Sequence, residues 1–180
     1  MKRLTMAFVS VVVCGCSAVY TSRPIGDRPL NIADNKEAWE GAWLHSDGAI
    51  TVKVVDGSNG VLRVGWVEKE EEGLKYESAD VYLREHGKWK FASMRPAGEA
   101  ETNRYLWARI GGRGSQMLLW PPDPGKFRRL VLNGSLPGST NGSNVVLGPL
   151  GSNHLDLIAS ETNGVLFVWD EPLVLFKLSK

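Results

Sequence analysis

A chain of 180 residues, 43% hydrophobic and 23% charged, has room for one domain of ordinary size and enough apolar material for a packed core. That composition excludes wholesale disorder. The net charge of +1 leaves no basic footprint for nucleic acid, and without Lys2 and Arg3 the balance is 19 basic against 20 acidic residues.

Lys2 and Arg3 form a short positive segment, and Leu4 to Val13 is a mostly apolar run. As a helix that run reaches ~15 Å, against the ~30 Å of a bilayer core, so it reads as an export signal and not as a span. Both cysteines of the chain, Cys14 and Cys16, follow at once. Val13-Cys14-Gly15-Cys16, an aliphatic residue, a small residue, Gly and Cys, resembles the lipobox of bacterial lipoproteins. The resemblance implies that Cys16 carries a diacylglycerol on its thiol and an acyl group on its new amino terminus. Residues 1–15 are then a signal peptide that is removed, and Cys14 goes with them. Val13 is too large to precede a cut at Cys14. Two other readings compete: ordinary signal cleavage after Ala18, and a redox pair, for which a C-x-C behind a leader lacks the βαβ context. Several acyl chains anchor stably, at ~0.8 kcal/mol per buried methylene. In such lipoproteins an Asp after the Cys retains the protein in the inner membrane, so Ser17 implies the outer membrane, facing the periplasm. The mature body would hold no disulfide, and its core must stabilise it.

Residues 16–38 read as the lipidated Cys and a flexible linker, since Ala18 to Ala33 carries Pro24, Gly26 and Pro29 without apolar periodicity. Asp34 to Trp39 suits one helical turn, with Asp34 as cap and Glu37 three residues on. From Trp39 the pattern has period two. Strands are expected around Ile50–Val54, Leu62–Trp66, Tyr76–Arg84, Trp89–Arg95, Arg104–Ile110 and Gln116–Trp120, with turns at 56–60, 68–73, 86–88 and 111–115 and a polar loop at 96–103. Such a run of short strands suggests an antiparallel meander forming a barrel or half-barrel. Beyond Pro121 and Pro122, Asp123 caps a helix that has Pro124 in its first position and ends at Gly134. Val145–Leu147 is a short strand. Ser152 caps a second helix, Asn153 to Glu161. Val165–Trp169 and Leu173–Leu178 are closing strands. The fold class is mainly β, with two short helices in the C-terminal third and a single domain over 39–180.

Chemistry is hard to place. His45 and His86 fall in expected turns and His154 in the first turn of a helix, none at metal-ligand spacing, so all three read as surface residues. The run Glu68 to Glu72 lacks the spacing of a calcium loop and reads as a solvated hairpin tip. Nucleophile elbows, phosphate loops and dinucleotide fingerprints are absent. The chain therefore reads as non-catalytic, with no cofactor and no metal.

The seven tryptophans are the unusual feature. Core packing accounts for them, because each buries a large area while its N–H finds a partner. An aromatic ligand pocket is the alternative, with Trp43, Trp66, Trp107 and Trp120 as candidates. Trp66 and Trp120 share apolar-facing positions. Trp107 shares a face with Tyr105 and Arg109, either the other side of a barrel wall or an exposed patch. Gly41-Ala42-Trp43, just before the first expected strand, resembles the G-x-W that opens lipocalin-type barrels, in which the Trp closes the barrel floor. The chain departs from that family in having no T-D-Y after a middle strand, Lys177 where an Arg would pack on the Trp, and more than one helix after the meander. The resemblance implies a lipocalin-like or calycin-like barrel.

Two functions follow. One is a lipid-anchored envelope lipoprotein whose β-domain presents a surface to an envelope protein partner, which predicts a filled core and an exposed apolar patch. The alternative is a lipocalin-like carrier of a small hydrophobic ligand, which predicts an internal pocket of ~300–1,000 Å³. The tight turns and the small residues within strands favour the first.

Overall fold

The computed structural model describes residues 17–71, 73–95, 104–160 and 166–178. The leader, Cys16, the expected loop at 96–103 and the end of the second expected helix at Glu161 lie outside the described residues.

After β1 (Val19–Thr21) and β2 (Arg28–Pro29), a 3-10 turn at Ala33–Asn35 leads into the single-turn helix α1 (Lys36–Trp39). A meander follows: β3 (Gly41–His45), β4 (Gly48–Asp56), β5 (Val61–Glu70), β6 (Gly73–His86), β7 (Trp89–Met94), β8 (Tyr105–Arg113) and β9 (Gln116–Trp120). Then come α2 (Pro124–Leu132), β10 (Gly138–Asn141), β11 (Asn144–Leu147), α3 (Ser152–Ala159) and β12 (Leu173–Lys177).

Each strand from β3 to β9 pairs antiparallel with the next, and β12 slots between β9 and β3, with Leu175 opposite Met117 and Lys177 opposite Trp43. The result is a closed antiparallel barrel of eight strands. Closure leaves no free edge in the barrel wall. Period-two alternation sets the inside: Leu62, Trp66, Val81 and Leu83 are buried, while Arg63 and Asp80 pair outside at 2.9 Å. A register shift between Val54 and Asp56 marks a bulge near the end of β4, which helps the wall curve.

The sheet forks at β8. Arg109 to Arg113 pair with β9, whereas Tyr105 and Leu106 pair with β1, which continues in parallel to β11 and then β10. This outer layer explains why β7 is apolar on both faces. Ala92 and Met94 face the barrel; Trp89 and Phe91 join Trp107, Phe127, Leu155, Ile158 and Phe167 in a second core under α2 and α3. Asp123 caps α2 as expected, accepting from the Lys126 N–H at 3.1 Å.

Several expectations are corrected. The half-barrel alternative gives way to full closure, while the two short helices of the C-terminal third and the helical turn before Gly41 are present as expected. The linker reading of 16–38 does not hold over Ala18 to Ile32. Ala18, Val19, Tyr20, Thr21, Ile25, Leu30 and Ile32 are buried. Leu30 and Ile32 donate backbone hydrogen bonds to Leu83 and Gly57 at 3.0 and 2.8 Å. The prolines and polar residues suggested a tether, but Leu30 and Ile32 pack into the barrel core and Val19 and Ile25 into the second core. The domain thus begins well before Trp39. Gly41-Ala42-Trp43 lies on the first barrel strand and not ahead of it. Helix α3 includes Ser152, and its N-cap is Gly151. The expected strand from Val165 reduces, among its described residues, to a single bridge between Phe167 and Pro122.

Candidate functional site

The barrel is not filled. It encloses a cavity of about 390 Å³. The wall is made by the inward positions of all eight strands, such as Ile50 and Val52 of β4, Leu62 and Val64 of β5, Ala108 of β8 and Leu175 of β12. Strand parity accounts for this set, since every second residue of a barrel strand must face inward. At one end Trp39 and Trp43 form the floor. At the other lie His45, Pro121, Glu171 and Pro172. His45 and Glu171 are the polar side chains of the lining apart from the indoles, and no Lys or Arg belongs to it among the described residues.

The floor is tied down. The Trp43 Nε1–H donates to the Trp39 carbonyl at 2.9 Å. The Lys177 ammonium lies 5.8 Å from the centroid of the Trp43 ring and donates to the Glu37 carbonyl. Lys177 thus supplies a cation over this indole in the place where the sequence lacks an Arg. Trp66 lines the wall and its Nε1–H donates to Glu68 at 3.0 Å.

The other two candidate tryptophans go elsewhere. Trp107 borders the cavity through its place between Leu106 and Ala108, but its ring stands edge-on to Phe127 and Phe167, with centroids 5.5 and 5.7 Å away, in the second core. Of the two faces open to it, it takes the covered outer side of the wall. Trp120 is outside the cavity, 4.8 Å from Trp169. The Arg109 guanidinium stands over the Trp89, Trp169 and Trp120 rings at 3.5, 4.4 and 5.5 Å from their centroids. This cluster braces the outer layer and does not face the cavity.

Two histidines are placed differently from the surface reading. His45 ends β3 on the same face as Trp43. Its Nδ1 accepts from the Asp47 N–H at 3.2 Å, and its Nε2 is buried without a hydrogen-bond partner. The signal was present: had the strand been drawn through Gly41–His45, parity with Trp43 would have turned His45 inward. His86, at the end of β6, is 9% exposed and bridges Asp27 at 3.0 Å and Asp156 of α3 at 2.8 Å. Burial pulls its pKa down, but the hydrogen bonds and charges of Asp156 and Asp27 outweigh that and hold it above the ordinary 6.5. The hydrogen bond from His86 in turn holds the Asp27 carboxyl below the usual carboxylate value.

Among the described residues, no group of three His, Cys, Asp or Glu side chains is arranged to hold a metal ion, and no helix is long and apolar enough to cross a membrane. Compared with known protein families, curated proteins and solved structures, the chain matches none.

Proposed function

We propose that this is a lipid-anchored envelope protein whose barrel carries a small apolar molecule. The observation that carries the reading is the cavity: about 390 Å³ inside a closed barrel, within the range of small-molecule sites and walled by aliphatic and aromatic side chains. The interaction reading needed a filled core, so the cavity reverses the preference drawn from the sequence. The lipocalin likeness gains support from the placement of Trp43 on the first barrel strand with Lys177 above it. Among the described residues the lining has no nucleophile set beside a base, which suits storage or transfer better than catalysis. Anchorage through acyl chains on Cys16, at the outer membrane, rests on the lipobox alone.

A second reading keeps one observation in its favour. Leu44 and Phe176 are paired on the outer face of β3 and β12 and are 40% and 52% exposed, a small apolar patch suited to a protein partner.

Native mass spectrometry of Ser17–Lys180, exported to the periplasm, tests the carrier. A discrete extra mass lost on denaturation is expected. A bare mass that takes up no apolar probe would move the weight to the partner-binding reading. For the anchor, Cys16→Ala should abolish acyl-lipid labelling and leave the leader in place; normal processing to a soluble form would sink the lipobox reading.

A further inference from the structure

Two residues of the cavity lining carry a buried N–H without a partner among the described residues, Trp107, whose ring lies in the second core, and His45, whose ring faces the cavity. His45 Nδ1 accepts the Asp47 N–H at 3.2 Å, so the ring proton sits on Nε2. That Nε2–H is buried and has no partner among the described residues. A buried donor left unpaired is costly, and structures rarely keep one without a reason. Parity on β3 directs this edge of the ring inward, on the same face as Trp43, at the end of the cavity away from the floor. The walls below it are apolar. The site therefore has one donor at its rim and a hydrocarbon-like interior.

The charge of the lining narrows the choice. Glu171 lies at the same end, and no Lys or Arg lines the cavity among the described residues. A carboxylate or phosphate head would meet the charge of exposed Glu171 at the rim, with no cation of the lining among the described residues to offset it. A volume of about 390 Å³ suits one chain or one small ring system better than a two-chain lipid. We infer that the ligand is an uncharged single-chain amphiphile, its hydroxyl or carbonyl oxygen accepting from His45 Nε2–H and its hydrocarbon lying against Trp66 and the aliphatic wall. This rests on the carrier reading and specifies its ligand.

The test uses Ser17–Lys180, which holds every described strand and helix, titrated with dodecanol, dodecanoate and dodecane and followed by tryptophan fluorescence. The wild type should bind dodecanol more tightly than dodecanoate. His45→Phe keeps the ring bulk and removes the donor; it should weaken dodecanol roughly tenfold and leave dodecane unchanged. His45→Gln, which retains a donor, should recover much of the loss. Melting temperatures of both variants confirm that each is folded. Equal dodecanol affinity in wild type and His45→Phe would overturn the role of His45. Tighter binding of dodecanoate would overturn the uncharged head. If dodecane and dodecanol both fail to bind the folded wild type, the carrier reading itself falls, and the ligand assignment with it.

Discussion

His86 joins three parts of the molecule through one ring: Asp27 from the N-terminal segment, β6 of the barrel, and Asp156 of α3. Its folded pKa is raised, so its contribution is fully present below the unfolded value near 6.5 and is lost as pH rises through the folded value. Asp27 is lowered, so its contribution holds above the unfolded value of 3.8 and fades as pH falls through the folded one. Stability measured by denaturant unfolding should therefore be greatest between about pH 4 and 6.5 and decline as pH rises further, through the folded His86 value. His86→Gln should flatten that decline; an unchanged slope would mean the bridge does not form in solution. None of this was legible in the sequence. His86 sits in a His-Gly-Lys stretch that resembles any hairpin turn, and both its partners lie more than fifty positions away, in segments read as linker and helix surface. Short-range patterns carry no information about such pairings.

The elements divide by how local their cause is. The meander was readable because alternation and turn chemistry are local, and β9 and β12 begin where the pattern placed them. So was α2, with its Asp123 cap and Pro124. The short strand β1 was not, because its pairing with β8 and β11 comes from distant residues. β10 was hidden in a Gly, Ser and Asn stretch for the same reason. Gly60 shows how tightly the N-terminal segment packs on the barrel. It has φ +64°, and a Cβ there would stand 2.6 Å from the carbonyl oxygens of both Leu30 and Leu83. The outer layer is held by its core and not by ladder bonds alone. Phe127 of α2 is fully buried against Trp107. Phe127→Ala should cost about 3–5 kcal/mol in denaturant unfolding. A loss below about 1 kcal/mol would mean that α2 is an ornament on the barrel.

At the scale of the whole molecule, two cores share one wall. The inner face of β7 and β8 borders a cavity, and the outer face is packed solid. The existence of a cavity could not be read from composition, because an inward Leu has the same spacing whether it meets a neighbour or a void. Closure depends on β12, which pairs with β3 from the far end of the chain. A chain ending at Pro172 should lose cooperative thermal unfolding, although it keeps seven of the eight barrel strands; a sharp transition in that fragment would contradict this. The same feature bears on timing. Synthesis delivers the N-terminal end first, so the meander emerges as an open, apolar-faced trough that cannot become a barrel until residue 177 arrives. Pairings this distant form slowly and leave sticky surface exposed while they wait. During that interval the trough is open along its whole length, so a ligand could be enclosed as the last strand settles and need never pass through the mouth.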